Sequence, residues 1–253
     1  MNTLNRIRLI FQKILKLKIY QKFRQTKISL LFVKAIELSG FIQRDISFRY
    51  LRKIINAENP IIIEIGAEIG TDTVKFEKFL SSPTIFSFEP DPRNFKKLEN
   101  KVKNYKNIII SNLAISDKKS SSDFFLSEDI YGDRDGQGSS SLKQPKNVGE
   151  IFSTILFDEK IRVDTISLDE WVEEKNIKKI DFIWADVQGA EDLIINGAQK
   201  TLNNLTRFFY TEFSNNELYE SQPSLEQILS LLPDFEVKKL YTSNVLLKNK
   251  KVS

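Results

Sequence analysis

The spacing of apolar residues along this chain changes once. From about residue 2 to 58 they recur at intervals of three and four, as at Leu4, Ile7, Phe11, Ile14 and Leu15. That is the period of a helix with one apolar face. Gly40 is the candidate break between two helices. Asn59-Pro60 ends the region, because the residue before a proline is pushed out of helical geometry. Beyond it, short β-branched runs alternate with helical stretches. The pattern predicts strands over 61–65, 84–89, 107–113, 160–165, 180–185 and 206–213, and helices over 71–80, 92–103, 167–175, 189–202 and 223–232. The last two apolar runs, Phe235 to Tyr241 and Asn244 to Lys248, lie too close for a parallel crossover and are expected to form an antiparallel hairpin. Residues 118–158 follow neither period. With Ser120 to Ser122, a Gly-rich stretch from Gly132 to Ser141, and Pro145, they read as an irregular insertion or mobile loop.

Alternating strands and helices that end in a hairpin predict an α/β fold: a doubly wound, mostly parallel sheet with one reversed strand. An N-terminal helical extension, 1–58, precedes a main domain, 59–253. Ligands of such sheets bind beyond the carboxyl ends of the strands, which directs the search for chemistry to those ends.

Composition removes several mechanisms. The 253 residues include neither Cys nor His. That excludes disulfides, thiolate metal sites, a cysteine nucleophile, Ser-His-Asp hydrolysis and an imidazole base. Proton transfer must fall to Asp, Glu, Lys, Tyr or water. No metal-ligand spacing stands out. The chain is 41% hydrophobic and 28% charged, with a mean hydropathy of −0.30, as in an ordinary globular protein. No apolar run reaches the ~18–20 residues of a membrane span, nor does the N-terminus resemble a signal peptide, so the expected compartment is the cytoplasm.

Charge is unevenly spread. Residues 1–27 hold eight Lys and Arg and no acid, whereas the whole chain is only +4, so the remainder totals −4. The pI near 9.0 therefore describes an arm, and no nucleic-acid partner is expected. Interleaved with Leu4, Ile7, Ile10, Phe11, Ile14, Leu17 and Phe23, those cations describe a basic amphipathic helix. It suits peripheral contact with an anionic membrane, at the inner face; the alternative is a helical cap packed on the main domain.

Three strand ends carry candidate chemistry. Glu64-Ile65-Gly66-Ala67-Glu68-Ile69-Gly70 falls where the first strand becomes a helix. Its glycines let the backbone turn and approach a ligand, although the spacing is not that of a dinucleotide fingerprint; the alternative is a plain turn. Glu89 ends the second strand 19 residues after Gly70, where a carboxylate can accept both hydroxyls of a ribose; otherwise it is a solvated loop acid. Asp186 ends the strand Asp181 to Ala185 ahead of Gly189. It is either a base or orienting group for a substrate, or a cap for the next helix.

In this order the pieces resemble the FkbM-type family of S-adenosylmethionine-dependent methyltransferases. Glu64 to Thr73 matches a D/E-x-G-A-x-x-G-x-x-T block and Phe88 to Pro92 an F-E-P-x-P block. Asn112-Leu113-Ala114, Ser140-Ser141-Leu142, Thr165 to Asp169 and Asp186 to Glu191 match the family's later motifs. Glu68 departs from the pattern, where Asn is common. The resemblance covers about residues 60–248 and implies a Rossmann-like class I methyltransferase fold. It also implies S-adenosyl-L-methionine as cofactor and methyl transfer to a hydroxyl of a sugar, glycan or small metabolite. The cofactor residues it implies are Glu64, Gly66, Glu68, Gly70, Thr71, Glu89, Asn112 and Ala114; Asp186 is the catalytic candidate, with Glu212 as helper. A nicotinamide oxidoreductase and a catalytically silent scaffold are the alternatives.

Overall fold

The computed structural model describes residues 45–130, 138–214 and 216–252. The proposed helix break at Gly40 and the basic stretch 1–27 lie outside the described residues. The first described helix, α1 (Phe48–Ile55), starts at Ser47, whose Oγ accepts from the Tyr50 N–H, and stops at Asn56 in the left-handed region. Leu51 and Ile55 of α1 are buried in the same cluster as Ile62 of the first strand, so this end of the extension packs on the sheet.

The rest follows in chain order: β1 (Ile61–Ile65), α2 (Thr71–Phe79), β2 (Thr84–Phe88), α3 (Pro92–Val102), β3 (Ile108–Ser111), β4 (Ala114–Ser116), β5 (Ser120–Asp129), α4 (Val148–Ile151), β6 (Ile155–Ser167) and α5 (Leu168–Glu174). Then come β7 (Ile180–Ala185), α6 (Glu191–Asn196), α7 (Gln199–Leu205), β8 (Thr206–Glu212), α8 (Leu225–Leu231), β9 (Phe235–Leu240) and β10 (Asn244–Asn249). Seven strands form one sheet in the order β3-β2-β1-β7-β8-β10-β9. The first five run parallel, and β10 is antiparallel to both its neighbours. The expected hairpin is thus present, inserted so that β10 meets β8.

Period-two alternation assigns the two faces. Ile63, Ile65, Ile183, Ala185 and Phe209 point to a core completed by Trp171 of α5, Ile194 and Ile195 of α6, Leu202 of α7 and Ile228 of α8. Ile62, Phe182, Trp184, Phe208 and Tyr210 face a second core with α1, Phe76 of α2 and Leu98 of α3. With both faces covered, the central strands are mostly apolar: all six residues of β7 are buried, Asp181 among them.

Three expectations change. The segment 118–158 is not irregular along its length: β5 occupies Ser120–Asp129 and pairs antiparallel with β6, which also pairs parallel with β4 to make a three-stranded sheet. Ala114, Phe124, Leu126 and Val163 form its small core. The predicted strand over 107–113 shortens to β3, and β4 begins beyond it. The predicted helix over 189–202 also splits, into α6 and α7. At Gly197, between them, an added Cβ would stand 2.0 Å from the Ser116 carbonyl oxygen, so β4 passes too close for any side chain. Asp169 then restarts the helix by accepting from the N–H groups of Lys200 and Thr201 (3.0 and 2.7 Å).

Candidate active site

At the carboxyl ends of β1, β2 and β7 the described residues enclose a cavity of about 910 Å³, counted to its open mouth. The chain leaves β1 at Gly66, with φ +85°, where an added Cβ would lie 2.0 Å from the Asp186 carbonyl oxygen. Only glycine lets the ends of β1 and β7 come this close. The N–H groups of Gly66 and Ala67 both donate to the Phe88 carbonyl (3.0 Å each), tying the same turn to β2. Gly70, with φ +79°, starts α2, and its missing side chain makes room for Leu98 Cδ1 of α3. Gly70 therefore shapes the packing and is not part of the cavity wall.

Two buried carboxylates stand on these strand ends. Glu89 is only 5% exposed. Its Oε2 accepts from the Glu68 N–H at 2.7 Å and its Oε1 from the Asp91 N–H at 2.9 Å. Burial pushes its pKa up to about 8 against those two hydrogen bonds. Glu64 turns toward α2, where its Oε2 accepts from Thr73 Oγ1 at 2.5 Å and from Ser87 Oγ at 2.7 Å. Burial raises its pKa to about 8 as well. Glu68, Thr71 and Ala114 also line the cavity. Asn112 does not: its Nδ2 donates to the carbonyls of Glu89 (2.7 Å) and Pro90 (3.1 Å), so it braces the turn that carries Glu89.

Asp186 opens onto the cavity from the end of β7. It does not cap α6, whose N-cap, Ala190, makes no side-chain cap hydrogen bond. Asp186 Oδ1 accepts from Gln188 Nε2 at 2.6 Å, and the same nitrogen donates to Glu212 Oε2 at 3.2 Å. Glu212 thus stands behind Gln188 and outside the cavity wall. The protein packed around Asp186 raises its pKa, Gln188 opposes the rise, and Asp45 and Asp72 add to it. Glu212 is raised well above the usual carboxylate range by burial, then by Asp186, Glu191 and Asp45. Glu191 is fully buried. Its Oε1 accepts from the Gly189 N–H at 3.3 Å, while its Oε2 has no hydrogen-bond partner among the described residues. Burial pushes Glu191 up to about 7.

Gly138, Ser140 and Leu142 also line the cavity. Gly138 lies against Glu68, its added Cβ falling 3.0 Å from Glu68 Oε1. Ser140 Oγ accepts from the Ser127 N–H (2.9 Å), and Ser141 Oγ donates to the Gln188 carbonyl (2.8 Å). Tyr219 Oη donates to the Ser139 carbonyl at 2.6 Å. The resemblance pointed to Ser140-Ser141-Leu142 and, through its last block, to Gln188, though not to what either touches. Tyr219 had no signal in the sequence.

The strand order with its reversed β10, the glycine turn after β1, and carboxylates at the ends of β1, β2 and β7 define a class I methyltransferase. The chain matches the FkbM methyltransferase domain over residues 64–239 and belongs to that family. It is 36% identical over 208 residues to the 2-O-methyltransferase NoeI of Sinorhizobium fredii (strain NBRC 101917 / NGR234), a match covering 81% of this chain and 85% of that protein. Among solved structures it is similar to the O-methyltransferase from Bacillus cereus in complex with SAH: 11% identity, TM-score 0.46, 88% of this chain and 90% of the other. It is also similar to Aeropyrum pernix fibrillarin with natively bound S-adenosyl-L-methionine: 12% identity, TM-score 0.44, 80% and 72%. The protein is an S-adenosylmethionine-dependent methyltransferase, and the oxidoreductase and scaffold alternatives give way to the family assignment. The cavity suits that cofactor's sulfonium: Glu64, Glu68, Asp72, Glu89 and Asp186 are on its wall, and no Lys or Arg is among the described lining residues.

Proposed function

We propose that this enzyme methylates a hydroxyl of a sugar, a glycan or a small hydroxylated metabolite. The observation that carries the reading is Asp186, a carboxylate of raised pKa that opens into an acid-lined cavity in a protein without histidine. S-adenosylmethionine supplies a methyl group on a sulfonium, which needs no acid to leave. What falls to the chain is alignment, exclusion of water and removal of one proton. Asp186 takes or orients the acceptor's hydroxyl proton, with Glu212 behind it. Glu89 binds the ribose hydroxyls: each of its oxygens uses one lone pair on a backbone N–H and keeps another for a ligand. Glu64, Gly66, Glu68, Gly70, Thr71 and Ala114 form or shape the rest of the cofactor's bed, and Asn112 acts on it through the Glu89 turn. The 2-O-methyltransferase activity named for the relative supports an oxygen as the methyl acceptor.

The test is transfer of labelled methyl to a panel of methyl glycosides, oligosaccharides and small polyols, with amines and thiols alongside. Transfer to a hydroxylated acceptor is expected, and Asp186→Asn should lower turnover ~100–10,000-fold. Transfer confined to amines or thiols would overturn the acceptor class, and full turnover by Asp186→Asn would move the base elsewhere.

No described helix is long and apolar enough to cross a membrane. The basic stretch 1–27 supports a peripheral role, in which it holds the enzyme against the anionic inner face of a membrane, beside its acceptor.

A further inference from the structure

Gln188 is held at every point where it could move. Its backbone sits in the left-handed region, φ +53°, which an unbranched side chain tolerates only at a cost. Its carbonyl accepts from Ser141 Oγ at 2.8 Å. The next residue, Gly189, is pressed on Tyr219, leaving 2.9 Å for an added Cβ. The amide nitrogen of Gln188 donates to Asp186 at 2.6 Å and to Glu212 at 3.2 Å. Ionised carboxylates only accept, so the amide must turn its NH2 to the pair; the flipped amide would set oxygen against oxygen.

We propose that Gln188 is the positioning residue that lowers the proton affinity of the Asp186–Glu212 pair, and so sets the pH range in which the site can receive a proton from the acceptor. The inference rests on the reading of Asp186 as the proton-accepting group. Two carboxylates this close repel, and in such pairs one proton is normally retained. A neutral amide with two N–H donors is suited to relieve the repulsion without adding a competing charge. The other groups facing the pair do not relieve it. Glu191 of α6, Asp72 of α2, Asp45 ahead of α1 and the Tyr219 hydroxyl are acidic or neutral. Lys143, which acts on Glu191, is engaged by Asp192 at 2.7 Å. The chain's own block is Asp186-Val187-Gln188-Gly189; a Glu at the third position would bring a further carboxylate to the pair.

The experiment is a ¹³C-carboxyl NMR titration of the full chain, which needs no acceptor, with the Asp186 and Glu212 signals assigned by Asn and Gln variants. Gln188→Met keeps the unbranched side chain, and therefore the backbone strain, but removes both donors. It should raise both titration midpoints by about one pH unit, and Gln188→Glu should raise them further. Midpoints that stay in place in a folded variant overturn the proposal. In the unaltered protein the Gln188 side-chain amide protons should shift at the pH where Asp186 titrates, and an amide silent to that titration overturns it equally. Full turnover by Asp186→Asn would instead defeat the reading beneath, so the two failures are distinguishable.

Discussion

Glu89 shows what a single carboxylate can do when the backbone holds both its oxygens. The N–H groups of Glu68 and Asp91 fix its direction, and burial lifts its pKa to about 8. Ribose hydroxyls donate to the charged form, so binding should strengthen as pH rises through that value and weaken below it. Calorimetric titration with S-adenosylmethionine from pH 6 to 9 should show the rise (~1.4 kcal/mol per tenfold in affinity); a flat profile removes the ribose role. Glu89→Ala should weaken binding tenfold to a hundredfold, from the loss of ~1.5–3 kcal/mol of charged hydrogen bonding. The control is urea unfolding, because the same change strands two backbone donors. Glu64, Glu89 and Asp186 could be picked out in the sequence because each is an acid at or near the end of an apolar run. Asn112 and Gln188 could not be understood that way. An amide has no chemistry of its own, and its role depends on the Glu89 carbonyl or the Asp186–Glu212 pair that the fold places beside it.

Elements were readable where burial on both faces makes a strand mostly apolar, as in β1 and β7. They were obscured in the small sheet. β5 and β6 pair across about forty residues, and their exposed face carries Asp123 against Lys160 (2.9 Å) and Arg162 (3.2 Å), so polar sequence there reads as loop. The break between α6 and α7 was hidden for another reason: Gly197 has no local signal, and its need arises from β4 crossing it. The Asp169 of the T-x-x-L-D block, which marks the family, turns out to cap α7 away from the cavity. Gly197→Ala should therefore destabilise the protein by about 1–3 kcal/mol, the usual cost of overpacking, read as a lower urea midpoint at unchanged slope. Gly149→Ala, with nothing within 4 Å of its added Cβ, should be neutral or stabilising. Equal midpoints for the two variants would show that β4 can yield.

At the scale of the whole molecule the chain is divided by charge. Residues 1–27 carry eight cations and no acid, and the rest of the chain is net negative. The described body opens its acidic cavity beside Asp45, whose carboxylate receives the Tyr210 hydroxyl and adds to the charge felt by Asp186 and Glu212. The chain thus passes from the extension into the body next to the site, so an extension resting on a surface would hold the site near it. Basic residues at an anionic leaflet contribute ~1 kcal/mol each, enough for several together to retain the enzyme reversibly. Vesicles containing phosphatidylserine should therefore co-sediment the full chain, neutral vesicles should not, and added salt should weaken the binding as screening shortens the range of the field. A chain lacking residues 1–27 should stay in the supernatant while keeping its affinity for S-adenosylmethionine. If the truncated protein pellets as well as the full chain, the arm is no membrane anchor. If truncation lowers the unfolding midpoint instead, the apolar positions from Leu4 to Phe23 belong to the packing of the fold.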